Sequence, residues 1–328
     1  MIEVYKDVYD WNYLYPYVYN EAVLREKLTN DNEYWFPAEN IDTGEIVGNG
    51  YLKKVNKYIV FIARLACKKK YQGRGLAGIL GATCMKSLYK MNFFDGVIRL
   101  ECDVRAKAYY SQKFVEKTGS IPYGFIPNYN NYADKRFYKK SKQEPFTAGK
   151  IEPVIMYFQP FNTFWKKRTN DINIYDDKRI TEMYYSIRDK NKHKMKSDNV
   201  YIKKKTKKPQ KSEFKINLDY YKAIVSIDGY MGEKKLKKIL NLFKNWNLIE
   251  WRIPTTTTGL NCQKIALNYN FEVVGYNPGS NINNEIEDTI LFNYFPNGID
   301  FNQFKDLKLT DRNKPIVKSV LKFLDDSN

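Results

Sequence analysis

Histidine and cysteine are scarce in this chain, and their scarcity removes whole classes of chemistry. The single histidine, His193, stands among lysines, and the four cysteines, Cys67, Cys84, Cys102 and Cys262, show no C-x-x-C spacing. Neither a zinc site nor a disulfide framework is suggested by that set, so no metal is expected. Serine or cysteine triads built on histidine are all but excluded. Long apolar runs are missing too: nothing approaches the roughly 18 residues that span a bilayer. The opening Met-Ile-Glu-Val-Tyr-Lys-Asp has neither the basic nor the apolar region of a secretory signal. The expectation is a soluble, cytoplasmic protein with no membrane partner.

What is present is lysine, asparagine, tyrosine and isoleucine, spread through 328 residues of which 43% are hydrophobic. That length suits roughly two domains of about 150 residues each. The net charge of +18 would suit a nucleic-acid partner. That partner is not favoured, because the bias runs along the whole chain, as drift in an AT-rich genome would produce. A basic surface would also attract phosphorylated small molecules.

Periodicity predicts three strands, at 34–41, 46–53 and 58–67, joined by short turns into an antiparallel meander. From Leu76 the period changes. Leu76, Ile79, Leu80, Thr83, Cys84 and Leu88 share one face of a helix ending near Asn92. A strand over 96–104 alternates Ile98, Leu100, Cys102 and Val104 with Arg99, Glu101 and Asp103. A second helix is expected over 107–117, stopped by Gly119. Strands follow at 122–126 and 152–159, with a tyrosine- and asparagine-rich surface loop at 128–148 between them. After a helix at 178–190, residues 190–211 hold ten lysines and read as a solvated connector containing at most a short strand.

The second half repeats the strand and helix order of the first. With Glu101 laid over Arg252, a constant offset of 151 runs without a gap to Asn128 over Gly279. Gln112-Lys113 then meets Gln263-Lys264, Gly124 meets Gly275 and Pro127 meets Pro278. Self-similarity at a fixed offset is the signature of a duplicated module.

The segment richest in chemistry is Leu65-Ala66-Cys67, Lys68-Lys69-Lys70-Tyr71, Gln72-Gly73-Arg74-Gly75-Leu76-Ala77, which joins a strand end to a helix start. A helix N-terminus offers unpaired N–H groups and partial positive charge, so a glycine turn there can seat a diphosphate. Gly73 and Gly75 supply the freedom, and Arg74 with Lys68 to Lys70 the counter-charge. A Walker loop fails for want of Gly-Lys-Ser/Thr, and a dinucleotide fingerprint fails for want of its third glycine.

Here the sequence resembles the GNAT acetyltransferase superfamily, whose loop reads Gln/Arg-x-x-Gly-x-Gly/Ala and is matched by Gln72, Gly75 and Ala77. Leu65-x-Cys67 is similar to that family's Leu-x-Val on the strand that holds the pantetheine arm. The resemblance implies an α/β (α+β) fold of two GNAT-like lobes, each a mixed, mostly antiparallel twisted sheet flanked by helices. Its expected boundaries are an acyl-CoA-binding domain at 1–165, a helix and basic connector at 166–212, and a degenerate lobe with a C-terminal helix at 213–328. It implies acetyl-CoA or another acyl-CoA as co-substrate, held by Leu65, Cys67, Gln72, Gly73, Arg74, Gly75, Leu76 and Ala77. The acceptor would be an amine, on a small molecule or a peptide, attacking the thioester directly.

The catalytic groups are less clearly marked. A family-like proline before the loop is Lys69 here, the usual asparagine falls at Ala108, and the usual tyrosine at Val115. Tyr110, or Tyr109, is the candidate to protonate the departing thiolate, and Glu101 and Asp103 are the candidate bases. Main-chain groups beside Cys67 are candidates to hold the carbonyl. The second half offers only Asp228-Gly229-Tyr230-Met231-Gly232-Glu233 at its strand-to-helix turn, onto which the loop spacing cannot be laid. Two alternatives stay open: a two-lobed transferase using aminoacyl-tRNA, and a CoA-binding regulator that has lost transfer.

Overall fold

The computed structural model describes residues 1–91, 94–139, 143–161, 163–206, 213–282 and 286–326. The first half runs α1 (Ile2–Tyr9), α2 (Glu21–Leu28), β1 (Glu33–Glu39), β2 (Ile46–Lys54), β3 (Ile59–Cys67), α3 (Leu76–Lys90), β4 (Arg99–Arg105), α4 (Tyr109–Lys117), β5 (Ile121–Tyr132) and β6 (Lys150–Pro160). Then come α5 (Phe164–Lys167), β7 (Asp171–Tyr175), α6 (Lys178–Lys190) and β8 (Asn199–Lys203). The second half is β9 (Glu213–Asp219), β10 (Ile224–Tyr230), α7 (Glu233–Leu242), β11 (Leu248–Pro254), α8 (Gly259–Asn268), β12 (Glu272–Ile282), β13 (Ile286–Tyr294) and α9 (Lys314–Asp326). None of the described helices is long and apolar enough to cross a membrane.

Eleven strands form one sheet in the order β1-β2-β3-β4-β6-β5-β12-β13-β11-β10-β9. Neighbours are antiparallel except at β3–β4 and β10–β11. The alternation foreseen for β4 is present, with Leu100, Cys102 and Val104 buried and Glu101, Asp103 and Arg105 half-buried. Arg99 departs from it: the side chain is fully buried and hydrogen-bonds Pro278 O and Asn277 Oδ1 of β12, tying the halves together.

The offset of 151 seen in the sequence has a geometric counterpart at several features. Gly119 and Asn270 both have positive φ, 94° and 57°, and so do Asn128 and Gly279, 55° and 58°. Strand β5 slips register against β6 between Pro122 and Gly124 and between Ile126 and Asn130. Strand β12 slips against β13 at the corresponding Val273/Gly275 and Asn277/Asn281. The central pair is Gly124 with Gly275, two equivalent residues facing each other as they would across a local two-fold axis. Side chains would crowd both: a Cβ on Gly275 would lie 2.7 Å from Tyr123 O, closer than a Cβ can stand, and one on Gly124 a tight 3.1 Å from Val274 O.

Gln112 and Gln263, also equivalent, are fully buried. Gln112 donates to Lys308 O and accepts from Thr310 N–H; Gln263 donates to Asn173 O and accepts from Tyr175 N–H. These grips are exchanged between halves, since β7 follows the first half and is held by the second, while residues 308–310 follow the second and are held by the first.

Two sequence expectations change. The surface loop at 128–148 begins as buried strand: Asn128, Asn130 and Asn131 belong to β5 and are nearly inaccessible, as is Lys135 just beyond it. Their polar side chains hid that burial, which is made tolerable by bonds such as Asn128 N–H to Gln303 Oε1 and Asn131 Nδ2 to Phe146 O. The boundary expected at 166 falls within packed structure, because Ile172, Ile174, Ile180, Met183, Tyr184, Ile187 and Met195 sit in the main core. Strand β8 pairs in parallel with β7, so the lysine-rich segment is anchored as far as Lys203. Residues 207–211, and the expected helix end at Asn92, lie outside the described residues.

Candidate active site

The glycine loop has the geometry that a phosphate cradle needs. Residues 69–71 make a short turn after β3, Gln72 Nε2 closes it by donating to Cys67 O at 2.9 Å, and Gly73 and Gly75 take φ of 77° and 81°. Gly75 is the cap of α3, whose first-turn N–H groups have no intrahelical acceptor. A Cβ built on Gly73, Gly75 or Gly78 would meet nothing within 4 Å, so the space above the loop is open. The counter-charge is smaller than the sequence suggested. Lys68 and Lys70 both bond Glu45, at 2.7 and 2.8 Å, leaving exposed Lys69 and Arg74 to face an anion. Hydrogen bonding from Lys68, then Lys70, holds the Glu45 carboxyl down to about 2.

Beyond the loop, β3 and β4 part. Their pairing is confined to Ile59–Arg99, Val60–Leu100 and Phe61–Glu101, yet β3 runs on to Cys67 and β4 to Arg105. The same stretch of β3 is bulged against β2, with Arg64 at φ 54°, an uncommon conformation for a residue with a side chain. A gap flanked by unpaired main chain therefore begins next to the loop.

Along these strands lies a cavity of about 280 Å³, lined by Phe61, Ala63 and Arg64 of β3, Asp103 of β4, and Tyr51 and Lys53 of β2. Tyr13, Leu14 and Tyr15 from the N-terminal segment and Tyr129 of β5 add walls. The second half contributes Asp219, Lys222, Ile224 and Ser226. Tyr15 donates to Asp219 Oδ2 at 3.0 Å, and the N–H groups of Tyr221 and Lys222 both reach Asp219 Oδ1 at 3.1 Å. Lys222 Nζ lies 3.5 Å from Asp103 Oδ2 and 4.1 Å from the centre of the Tyr129 ring. Burial pushes the Tyr15 and Tyr129 hydroxyls well above their ordinary pKa, keeping both neutral.

The residues singled out from sequence thus separate. Gln72, Gly73, Arg74, Gly75, Leu76 and Ala77 cluster at the loop, with Leu65 and Cys67 on the strand leading into it. Asp103 lines the cavity; Glu101 does not, its Oε1 being held by buried Arg99 at 2.9 Å. Tyr110 is 85% exposed at the start of α4, its ring edge-on to Tyr109. Because β3 and β4 are parallel, α4 begins at the same end of the sheet as the glycine loop. Burial raises the Cys67 thiol, which makes it a poor nucleophile. Arg64, Asp219, Lys222 and the N-terminal tyrosines were missed. Their one signal was the dense Tyr13-Leu14-Tyr15-Pro16-Tyr17-Val18-Tyr19 run, lost in a chain with 28 tyrosines.

The equivalent end of the second half is shut. Pairing of β10 with β11 runs from Ile224–Leu248 to Asp228–Arg252, and each strand continues only two residues further, to Tyr230 and Pro254. The Tyr230 and Thr256 hydroxyls bond at 2.9 Å across that end, and Gly232, at φ −82°, caps α7 in an extended conformation.

Residues 3–119 match the model described as Acetyltransferase (GNAT) family, a span that includes the loop, the parting strands, Asp103 and α4. No curated protein matches the chain. It is similar to the crystal structure of the ribosomal-protein-S18-alanine N-acetyltransferase of Escherichia coli at 18% identity, over 49% of this chain and 88% of that one, with a TM-score of 0.35. A GNAT family acetyltransferase of Elizabethkingia anophelis with acetyl-CoA bound is 19% identical over 43% of this chain and 84% of that one, TM-score 0.31. A GNAT superfamily phosphinothricin acetyltransferase of Sinorhizobium meliloti in complex with AcCoA is 10% identical over 49% and 80%, TM-score 0.37.

Proposed function

With residues 3–119 a GNAT acetyltransferase domain, we propose that this chain transfers an acetyl or related acyl group from CoA to an amine, using its first half alone. The second half is read as a copy of the same module that has lost its cofactor seat and now walls the acceptor cavity. The observation that carries this reading is the parting of β3 from β4 between the glycine loop and the Asp103 cavity.

The loop fits the diphosphate of an acyl-CoA. Gly73 and Gly75 leave open the volume that side chains would fill, the N–H groups at the start of α3 face it, and Lys69 and Arg74 add charge. When bound there, acyl-CoA would supply the acyl group as a thioester. The remaining work falls to this chain. The edge of β3 past Phe61 offers main-chain N–H groups to a carbonyl oxygen. Asp103, directly or through one water, would accept the proton that an ammonium must shed before it can attack. Tyr110 or Tyr109, at the loop end of the sheet, would return a proton to the departing sulfur. The cavity walls would hold the amine against the gap, converting a bimolecular encounter into a positioned one.

The test is release of free thiol from acetyl-CoA in the presence of a broad amine panel. Thiol release with at least one amine, abolished in Asp103→Asn while acetyl-CoA still binds, is the expected result. Binding of acetyl-CoA with no release by any amine would favour a regulatory protein, and salt-sensitive RNA binding with no CoA affinity would favour the aminoacyl-tRNA alternative.

A further inference from the structure

Arg64 is a group at the cavity whose chemistry the transfer mechanism does not use. Its guanidinium lies 3.8 Å from the Tyr51 ring centre and 5.2 to 5.5 Å from those of Trp35, Tyr15 and Tyr17. Among the described residues it forms no ion pair, and its Nε and Nη1, both out of reach of solvent, have no hydrogen-bond partner. Aromatic faces attract a cation but accept none of its N–H bonds, so a guanidinium left this way is costly. The backbone beneath it is also unfavourable, since Arg64 sits at φ 54° on the bulge of β3. A cation kept at such cost on a cavity wall calls for an anion that arrives from outside.

Of the other charges on that wall, Lys53 is exposed to solvent, while Asp219 and Lys222 have partners. Asp219 takes the Tyr15 hydroxyl and two main-chain N–H groups, and Lys222 lies between Asp103 and the Tyr129 ring. Among the described residues the Asp103 side chain has only the long 3.5 Å contact with Lys222, so it can still meet an ammonium. Unused negative and unused positive groups therefore line one cavity of about 280 Å³ whose remaining walls are largely aromatic. That volume suits a molecule the size of an amino acid. A polyamine would bring further cations to Arg64 and Lys222 with nothing to offset them.

We propose that the acceptor is an amine that also carries a carboxylate, a free amino acid or a close analogue, with its ammonium at Asp103 and its carboxylate read by Arg64. The proposal rests on the acyl-transfer reading above. It makes Arg64 a specificity residue and sets it apart from the groups that move protons.

The test compares free amino acids, their carboxamides and their decarboxylated amines as acceptors in the thiol-release assay. The acids are expected to exceed the amides by at least about tenfold in kcat/KM, a gap typical of one charged recognition pair. Arg64→Met should remove that gap by lowering the acids alone, with acetyl-CoA affinity unchanged. Arg64→Lys, which keeps the charge and loses the fork, should retain part of it. Amides or simple amines that match the acids, or a preference that survives Arg64→Met, would overturn the proposal. Should no amine release thiol, the transfer reading fails and calorimetric binding of the same acids and amides still decides: acids that bind no better than amides overturn it. A purely structural arginine would show itself differently, by a lower melting temperature in Arg64→Met without ligand. Because no ion pair is lost, that temperature is expected to hold or rise.

Discussion

The two halves share their backbone design down to single residues and differ where chemistry would occur. Gly119 and Asn270, Asn128 and Gly279, and Gln112 and Gln263 occupy matching conformations or make matching bonds. Yet β3 continues six residues past its last pair with β4 and ends in an open glycine turn, while β10 stops two residues past its last pair with β11 and is closed by Tyr230 and Thr256. A seat for an anionic cofactor needs two diverging strands, a turn of positive φ and uncrowded helix N–H groups. In the second half the strands do not diverge and the residue capping the helix is extended, while the packing is kept. Even the ion pairs on equivalent strands are reversed, Arg99–Glu101 in the first and Arg252–Glu250 in the second.

The comparison breaks most sharply at Asp103, whose equivalent in the second half is Pro254. Asp103→Asn should lower the turnover of thiol release by about 10²- to 10⁴-fold, the range for loss of a positioned base. Glu101→Gln should leave turnover within a few-fold, because that side chain is occupied by Arg99. Equal losses in the two variants would mean that the base is not identified by the cavity.

Next in size is the join between halves. Gly275→Val puts atoms where Tyr123 O and Gly124 already lie and should cost about 1–3 kcal/mol or more, read as a lower midpoint in urea. Gly298→Val serves as the control for crowding: its Cβ would meet nothing, so any loss there reports only its positive φ of 71°.

The exchanged segments sharpen the symmetry. Gln112→Ala and Gln263→Ala each strand buried main-chain groups and should destabilise by about 1–3 kcal/mol apiece. Similar values would mark the two grips as equivalent; a large cost in one and none in the other would reveal that only one half depends on its borrowed segment.

The pH-dependent effect belongs to a feature of the first half alone. Lys135, just past β5, is inaccessible, and burial lowers its pKa to about 8 from 10.5. The folded state then holds fewer protons than the unfolded one between those values, so stability should rise as pH climbs from about 8 to 10.5. Lys135→Met should flatten that rise and stabilise the protein below pH 8, as thermal melts across the range would record.

The glycine loop, the strand-helix-strand order around it and the repeat could be read from sequence because each leaves a periodic or positional mark. Gly73 and Gly75 announce positive φ, and an offset of 151 is countable. The acceptor side could not be read in the same way. Arg64 adopts a backbone conformation that arginine rarely takes, so no pattern marks the bulge. Asp219 and Lys222 reach the cavity only because the halves share a sheet, a relation set by two glycines 151 residues apart. The asparagines of 128–131 looked like loop because their burial depends on partners such as Gln303, far along the chain.

The claim that one half alone seats the cofactor is tested most directly by calorimetric titration of the full chain with acetyl-CoA. One site per chain is predicted, weakened at least about a hundredfold by Gly75→Val, which forces a β-branched residue to φ 81°, and unaffected by Gly232→Val. Two equivalent sites, no site, or a single site lost in Gly232→Val and kept in Gly75→Val would contradict it.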